Sequence, residues 1–214
     1  KRELERFVID LAWKSSKIEG NTYTIFETET LIKMNLEATG HSKEEAAMIL
    51  NHKSAFDSIM ANRSSFKELN MTDIIQLHNI LTQGLHEDPG IRHHPVGISG
   101  SVYRPLDNQW QIREALEKLI LAINSSPYPF EKALIASAMI AYVQPFADGN
   151  KRTSRMLANA ILVAHDYYPI SYRSISETEY KQAIIQFYEQ NSLLALKRIL
   201  INQYKFAIDN YFWS

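Results

Sequence analysis

The placement of glycine and proline is the strongest constraint on how this chain folds. Each occurs seven times in 214 residues, and four of the glycines and three of the prolines fall within residues 84–105. Because both residues interrupt regular structure, the rest of the chain keeps long stretches without strong breakers. Apolar residues there recur at three- and four-residue spacing, as in Leu4, Phe7, Val8 and Leu11, which is typical of amphipathic helices. The pattern predicts an all-α fold with one non-helical insert.

Short polar patterns predict where several helices begin. Three of them have the Ser/Thr-x-x-Glu spacing of a capping box. They are Thr24 with Glu27, Ser42 with Glu45, and Ser176 with Glu179. Thr72 is the expected N-cap of a further helix. The expected helices cover residues 2–19, 24–36, 42–62, 72–85, 109–125, 130–145, 150–166, a segment opening at Ser176, and 193–212. No repeat or shift in composition marks a boundary, so residues 1–214 are expected to form one domain.

The insert differs from the rest of the chain in composition. Residues 96–104, VGISGSVYR, place apolar Val96, Ile98 and Val102 on either side of Gly100. This pattern predicts a short β-hairpin. An ordinary connection between two helices is the alternative, although a connection of this length is usually functional or disordered.

Charge and composition exclude several classes of function. Lys and Arg total 23 and Asp and Glu 24, so the chain lacks the overall positive charge that nucleic-acid binding requires. The absence of cysteine excludes disulfides, thiolate metal sites and a cysteine nucleophile. No apolar stretch approaches the length of a membrane span, and the first residues lack the apolar region of a signal peptide. We therefore expect a soluble cytoplasmic protein with no nucleic-acid or membrane partner.

Residues 144–155, QPFADGNKRTSR, lie between two apolar helices and carry the most distinctive chemistry. Pro145 ends the first helix, because the residue before a proline disfavours the α conformation. The second helix is expected to begin at Asp148 or Gly149. Its first backbone N–H groups and the positive end of its dipole form an anion site.

Three cations, Lys151, Arg152 and Arg155, lie in the first two turns of that second helix, where the dipole disfavours positive charge. An anionic ligand would explain their position. Arg152 and Arg155 share a helix face and can converge on a polyphosphate. Asp148 beside them can hold Mg²⁺, which prefers one or two carboxylates together with substrate phosphates. A solvated, charged turn is the alternative.

Residues 144–155 resemble the signature of the Fic family, His-Pro-Phe-x-Asp-Gly-Asn-x-Arg-x-x-Arg, at every fixed position except the first. Fic proteins are all-α enzymes, and most of them transfer AMP from ATP to a hydroxyl group of a target protein. The resemblance covers a core of about residues 70–190. It implies ATP as substrate and Mg²⁺ as cofactor.

The resemblance also implies roles for individual residues. The amides of Gly149 and Asn150 and the Asn150 side chain hold the α- and β-phosphates. Arg152 binds the β- and γ-phosphates of ATP, and Arg155 contacts the γ-phosphate. Mg²⁺ binds Asp148. The remaining assignments are Phe146 as an anchor of the loop, Lys151 within the nucleotide site, and Tyr180 near the adenine, with a core role as the alternative for Tyr180.

Gln144 departs from the family at the most important position, where the signature has a histidine that accepts the proton of the attacking hydroxyl. A carboxamide does not titrate near neutral pH and cannot act as general base. We therefore expect this chain to be impaired in AMP transfer, whether Gln144 was introduced deliberately or belongs to a natural member with lost or changed activity. Lys151 is a lesser departure, because many members of the family have glycine at this position. Lysine is also found there in the Doc toxin, which transfers phosphate. Phosphate transfer, AMP removal and a non-catalytic binding module remain alternatives.

Glu19 ends the first predicted helix, where the dipole disfavours a carboxylate and a cationic partner would offset the cost. Ser15 lies one turn earlier on the same face. Together they resemble the Fic inhibitory pattern Ser/Thr-x-x-x-Glu-Gly/Asn, whose glutamate pairs with the second arginine of the signature, here Arg155, and obstructs the γ-phosphate. Because residues 1–20 precede the core, the resemblance is to class II, the self-inhibited members. A surface glutamate is the alternative.

The predicted hairpin at residues 96–104 corresponds, by the same resemblance, to the flap on which Fic targets dock. There a target adds an extended segment by strand pairing, which is largely independent of sequence. The implied docking residues are Val96, Gly97, Ile98, Ser99, Gly100 and Ser101.

Dimerisation is common in the family and is expected here on that ground alone.

Overall fold

The computed structural model describes residues 2–85 and 89–212, and within these residues every regular element is helical, which confirms the all-α prediction. The α-helices are α1 (Arg2–Ile18), α2 (Ile25–Met34), α3 (Lys43–Ala61), α4 (Met71–Leu81), α5 (Gln109–Ser125), α6 (Pro129–Val143), α7 (Asn150–Ala164), α8 (Glu177–Gln190) and α9 (Leu194–Ala207). A short 3-10 helix (Arg63–Lys67) follows α3, and a π-helical turn (Ile208–Phe212) continues α9. None of the described helices combines the length and apolar character needed to cross a membrane.

The predicted helix starts at Thr24 and Ser42 are confirmed. Each side chain accepts a hydrogen bond from the amide three residues later, and the Glu there accepts one from the cap residue's own amide. Ser176 likewise accepts a bond from the amide of Glu179. These contacts join residues three apart, which is why the sequence alone reveals them.

The predicted N-cap at Thr72 is wrong, because α4 begins earlier, with Asn70 as its cap. The side chain of Asn124 in α5 bonds both the amide and the carbonyl of Leu69, at 2.9 and 2.8 Å. This contact fixes the chain before Asn70, whose own side chain accepts a bond from the amide of Asp73. A contact across 55 residues thus sets the start of this helix.

Helix α7 forms the centre of the molecule. All but one of its residues are buried, and it packs most extensively against α6, with further contacts to α1, α3 and α4. The loop between α6 and α7 therefore begins and ends on helices held firmly in the core. Helix α1 closes the N-terminal side, where Phe7 packs edge-on against Tyr211, with ring centroids 5.5 Å apart.

The predicted β-hairpin is wrong, since residues 96–104 contain no strand. They form an irregular segment with a turn in which the Ser101 amide donates to the Ile98 carbonyl over 3.3 Å. The Ser101 hydroxyl and the Val102 amide both donate to the carboxylate of Glu189 in α8, at 2.8 and 3.2 Å. The Val102 amide, which a second strand could have bonded, is bonded to a side chain of α8 instead.

Replacing Ser42 tests the contribution of one cap. Ser42→Ala is expected to lower the free energy of unfolding by about 1 kcal/mol, because the Glu45 amide loses its acceptor. Ser42→Asn keeps an acceptor and is expected to stay within about 0.5 kcal/mol of the unaltered protein. Urea unfolding followed by circular dichroism measures both, and equal losses in the two variants would contradict this account.

Candidate functional site

The loop between α6 and α7 is shaped by two residues with positive φ. Gln144, at φ 50° and ψ 58°, ends α6, and Gly149, at φ 75°, precedes α7 without a side-chain cap. A side chain at positive φ costs about 1–2 kcal/mol, so the surrounding contacts must hold Gln144 in place. A Cβ at Gly149 would lie 2.9 Å from Cγ2 of Thr82. Only glycine fits there without a shift of Thr82, the residue that follows α4.

Asn150, the first residue of α7, ties the loop together from within. Its Oδ1 accepts a bond from the Phe146 amide, and its Nδ2 donates to the Phe146 carbonyl, both at 2.9 Å. The same Nδ2 lies 3.0 Å from Oε1 of Gln144. The side chain is buried. Both ends of the Asn150 carboxamide are therefore occupied by the loop.

Gln144 is held by hydrogen bonds at both ends of its side chain. In addition to the bond from Asn150, its Nε2 donates to the carbonyl of Ala141 at 2.6 Å and lies 3.5 Å from the hydroxyl of Tyr188. The side chain is buried. Because a carboxamide has no ionisation near neutral pH, this position holds a fixed polar group and no proton acceptor of useful basicity.

Arg92, in the insert, holds the loop backbone from the other side. Its Nε donates to the Gln144 carbonyl at 2.7 Å, and its amide donates to the Pro145 carbonyl at 3.0 Å. The rest of the guanidinium bonds the carbonyls of His94 and Leu106. Burial lowers the pKa of Arg92 from its usual value, and the three carbonyls that the guanidinium bonds compensate for the lost water. No local pattern predicts this residue, because the partners of its side chain lie up to 52 positions away.

His78 of α4 was also missed by sequence analysis. Its ring stacks on Phe146, with centroids 3.7 Å apart and planes at 9°, and its Nε2 donates to the Asp148 carbonyl at 3.0 Å. Burial lowers the pKa of His78, so the ring is neutral at pH 7. The sequence signal was a histidine among the apolar positions of α4. Phe146 is fully buried, as an anchor of the loop must be.

The two arginines of the segment point to different partners. Nη2 of Arg152 lies 2.7 Å from the Asp148 carboxylate, and Nη1 donates to the Leu81 carbonyl at 3.3 Å. Arg155 reaches α1, where its Nε donates to the Ser15 hydroxyl and its Nη2 to the Ser15 carbonyl, both at 2.9 Å. Both guanidinium groups are buried.

Glu19 follows α1 and faces the cations of α7. Its Oε1 lies 2.7 Å from Nη2 of Arg155, and its Oε2 lies 3.9 Å from Nζ of Lys151. Burial raises the pKa of Glu19, but Arg155 and Lys151 together outweigh burial and hold the pKa below its usual range. The pKa of Arg155 is raised, because the opposing effect of burial is exceeded by the attraction of Glu19. The pair is therefore ionised at neutral pH.

A cleft of about 240 Å³ opens beside Glu19. Its walls are mostly apolar, with two lysines at its polar side. The lining residues are Ile18, Glu19, Ile98, Ser99, Lys151, Lys181, Ile184, Ile185 and Tyr188. Tyr180 does not line it; that ring is buried and lies 5.1 Å from Cζ of Arg155.

The flap residues lie at different depths around this cleft. Ile98 and Ser99 line it, and Val96 and Ser101 are partly buried, whereas Gly97 and Gly100 are exposed.

The Asp148 carboxylate before α7 suits a metal cation that is bound together with phosphates. The Asp148 side chain is 65% exposed, and one carboxylate with substrate phosphates is the arrangement that Mg²⁺ commonly uses. Among the residues that the structure describes, no group of three or more His, Asp or Glu could hold a metal by itself.

Comparison with known proteins relates this geometry to one family. Residues 68–162 match the Fic/DOC family. The protein adenylyltransferase Fic of Drosophila ananassae is 26% identical over 202 residues, which cover 92% of this chain and 40% of that protein. The chain thus spans less than half the length of this curated relative.

Solved structures share the fold. Fic-1 from C. elegans superposes with a TM-score of 0.83 at 22% identity, over 98% of this chain and 63% of that one. A Fic domain containing signaling protein from Bacteroides thetaiotaomicron gives 0.80 at 21% identity, over 99% and 89%. More distant structures with this fold were solved with ligands. They are Bartonella tribocorum BepC with bound AMPPNP (TM-score 0.51) and IbpAFic2 in complex with adenylylated Cdc42 (TM-score 0.58).

Adding a methyl group at Gly149 tests the fit of the loop against α4. Gly149→Ala is expected to lower the free energy of unfolding by about 2 kcal/mol or more, from positive φ and from the contact with Thr82. Thr82→Ser in the same background removes Cγ2 and is expected to recover the steric part. Thr82→Ser alone is the control, and thermal and urea unfolding measure all three variants. Failure of the double variant to recover stability would contradict the steric account.

The Glu19 pair predicts a pH-dependent stability. Because folding lowers the pKa of Glu19, its contribution is complete above the ordinary glutamate pKa of about 4.3 and is lost as the pH falls through the folded-state value. The difference in unfolding free energy between the unaltered protein and Glu19→Gln is therefore expected to be largest at neutral pH and to shrink in acid. Glu117→Gln, at an exposed position of α5, is the matched control. A difference that grows in acid would contradict the assigned sign.

Proposed function

Because residues 68–162 belong to the Fic/DOC family, we propose that this chain binds Mg·ATP at the start of α7 and is of the protein adenylyltransferase type. The observation that carries the proposal is the N-terminus of α7, which begins without a side-chain cap and has three cations in its first two turns. The name of the D. ananassae relative supports AMP transfer as the reaction. AMPPNP on BepC and adenylylated Cdc42 on IbpAFic2 support a nucleotide and a protein as partners.

Phosphate binding is proposed at the backbone of residues 149–151. The first N–H groups of a helix have no partner within the helix and attract anions. Gly149 allows close approach because it has no side chain. Arg152 turns the exposed Asp148 carboxylate toward this end of the helix through their 2.7 Å contact. Mg²⁺ bound with ATP would neutralise phosphate charge and favour departure of pyrophosphate.

The transfer step needs a proton acceptor. A hydroxyl oxygen of the target attacks the α-phosphorus, a new P–O bond forms, the bond to the β-phosphate breaks, and the hydroxyl proton must leave. Gln144 occupies the position of the family's histidine and cannot take that proton. Loss of a general base costs about 10²–10⁴-fold in rate. We therefore propose a protein that binds nucleotide and transfers AMP poorly.

Glu19 is proposed to restrain the same site. Its carboxylate lies against Arg155 and Lys151, two cations that the proposal assigns to the nucleotide. A γ-phosphate approaching Arg155 must compete with an existing buried partner and meets the negative charge of Glu19. Residues 1–20 would then act as an inhibitory helix.

The target is proposed to dock along residues 96–104. The segment lies outside the helices, and its Ile98 and Ser99 line the cleft beside Glu19. Val102 is 85% exposed, so an extended peptide can approach this edge. Docking through backbone groups would bring a target hydroxyl toward the loop without a strict sequence requirement.

A non-catalytic nucleotide-binding module is the second candidate. It is favoured by the hydrogen bonds that occupy both ends of the Gln144 side chain. This candidate predicts tight binding of ATP without any gain of transfer when a histidine is restored.

Restoring the histidine separates the two candidates. Gln144→His is expected to raise transfer from α-labelled ATP to protein by about 10²–10⁴-fold, and addition of Glu19→Gly to raise it further. Gln144→Asn is the matched control and is expected to give no gain. Transfer that stays at background in both histidine variants, with ATP binding intact, would contradict the adenylyltransferase proposal. A gain from γ-labelled ATP alone would identify phosphate transfer, and label loss from pre-modified protein would identify AMP removal.

A further inference from the structure

His52 of α3 is buried where α1 meets α7. It is 1% exposed. Its Nδ1 lies 2.8 Å from the Met48 carbonyl, and its Nε2 lies 2.7 Å from the Ser15 hydroxyl. A second hydroxyl, that of Ser16, lies 3.3 Å from Nδ1. The imidazole therefore links α3 to the serine that bonds Arg155.

These partners determine which ring nitrogen carries the proton. The Met48 carbonyl can only accept a hydrogen bond, so Nδ1 must be the donor. Burial lowers the pKa of His52 to about 3, so the ring is neutral and Nε2 is an acceptor. The Ser15 hydroxyl consequently donates its hydrogen to Nε2. Its oxygen is left as an acceptor for Nε of Arg155, 2.9 Å away.

We propose that His52 is a positioning residue that fixes the direction of the Ser15 hydroxyl and thereby holds Arg155 against α1. The hydrogen bonds run in one direction, from Arg155 to Ser15, from Ser15 to His52, and from His52 to Met48. If the Ser15 hydroxyl pointed the other way, its hydrogen would face the Arg155 guanidinium, which has only hydrogen-bond donors. The restraint assigned to Glu19 would thus depend on α3 as well as on α1. The effect on nucleotide binding rests on the proposed function, whereas the hydrogen-bond chain does not.

Two variants distinguish this role from simple packing. His52→Gln can place Oε1 near the position of Nε2 and keep an acceptor for Ser15. His52→Leu removes the acceptor. The measurement is the exchange rate of the Arg155 Nε–H with water by NMR, in the nucleotide-free full chain. We expect about tenfold faster exchange in His52→Leu, as for loss of one hydrogen bond near a charge, and a rate within about twofold of the unaltered protein in His52→Gln.

The outcome that would overturn the proposal is an unchanged exchange rate in His52→Leu, or equal acceleration in both variants. In a Ser15→Ala background, His52→Leu should add nothing, because the link to Arg155 is already cut. Independent effects of the two substitutions would also overturn it. If His52→Leu fails to fold, the ring nitrogen shifts of the unaltered protein decide the question, since a proton on Nε2 contradicts the proposed direction.

ATP and AMP binding by calorimetry test the consequence for the proposed function separately. ATP affinity is expected to rise several-fold in His52→Leu and Glu19→Gly, whereas AMP, which lacks the γ-phosphate, is expected to bind all forms alike. If ATP affinity is unchanged in Glu19→Gly, the proposed restraint fails. The exchange rates of Arg155 still decide the role of His52.

Discussion

The buried guanidinium of Arg155 is the constraint on which the docking of α1 depends. Helix α7 lies in the core, so a cation in its second turn cannot reach water. A buried charge without partners is costly, and its hydrogen bonds and opposite charge must come from a neighbouring element. Helix α1 and the residue that follows it supply the Ser15 hydroxyl, the Ser15 carbonyl and the Glu19 carboxylate. A displaced α1 would leave that charge without these partners, so the cation and the helix stabilise each other.

The contact of Glu19 with Arg155 and Lys151 also offsets unfavourable charges at two helix ends. A carboxylate at the C-terminal end of α1 and cations at the N-terminal end of α7 each oppose the local dipole. Where the two ends meet, Glu19 lies within 4 Å of both Arg155 and Lys151, and each charge offsets the other's cost. Phosphate brought to α7 would compete with Glu19 for the same cations. The proposed nucleotide binding and the proposed restraint by Glu19 therefore involve one set of charges.

Features that depend on neighbours in sequence were predictable, and those that depend on distant partners were not. The caps at Thr24 and Ser42 follow from spacing within one turn, whereas anion binding at residues 149–155 stays a prediction. The hairpin prediction failed because Glu189, 88 residues from Ser101, bonds that segment. Arg92, His78 and His52 were missed for the same reason. Each is a polar side chain with at least one partner in a different helix or loop, and no local sequence pattern predicts that contact.

At Gln144, backbone atoms help to fix the shape of the loop between α6 and α7, whereas the side chain determines whether the position can accept a proton. Its amide donates to the Ile140 carbonyl, and its carbonyl accepts from Arg92; these backbone contacts are available to any residue that tolerates this positive φ. The end of the loop that is proposed to face phosphate is set separately, by Gly149 and the start of α7. Gln144 thus lacks the titratable group of the signature histidine and still makes these backbone contacts. In the proposed function, capture of an anion at the start of α7 and activation of a hydroxyl at residue 144 involve different atoms, so the first can persist when the second is lost.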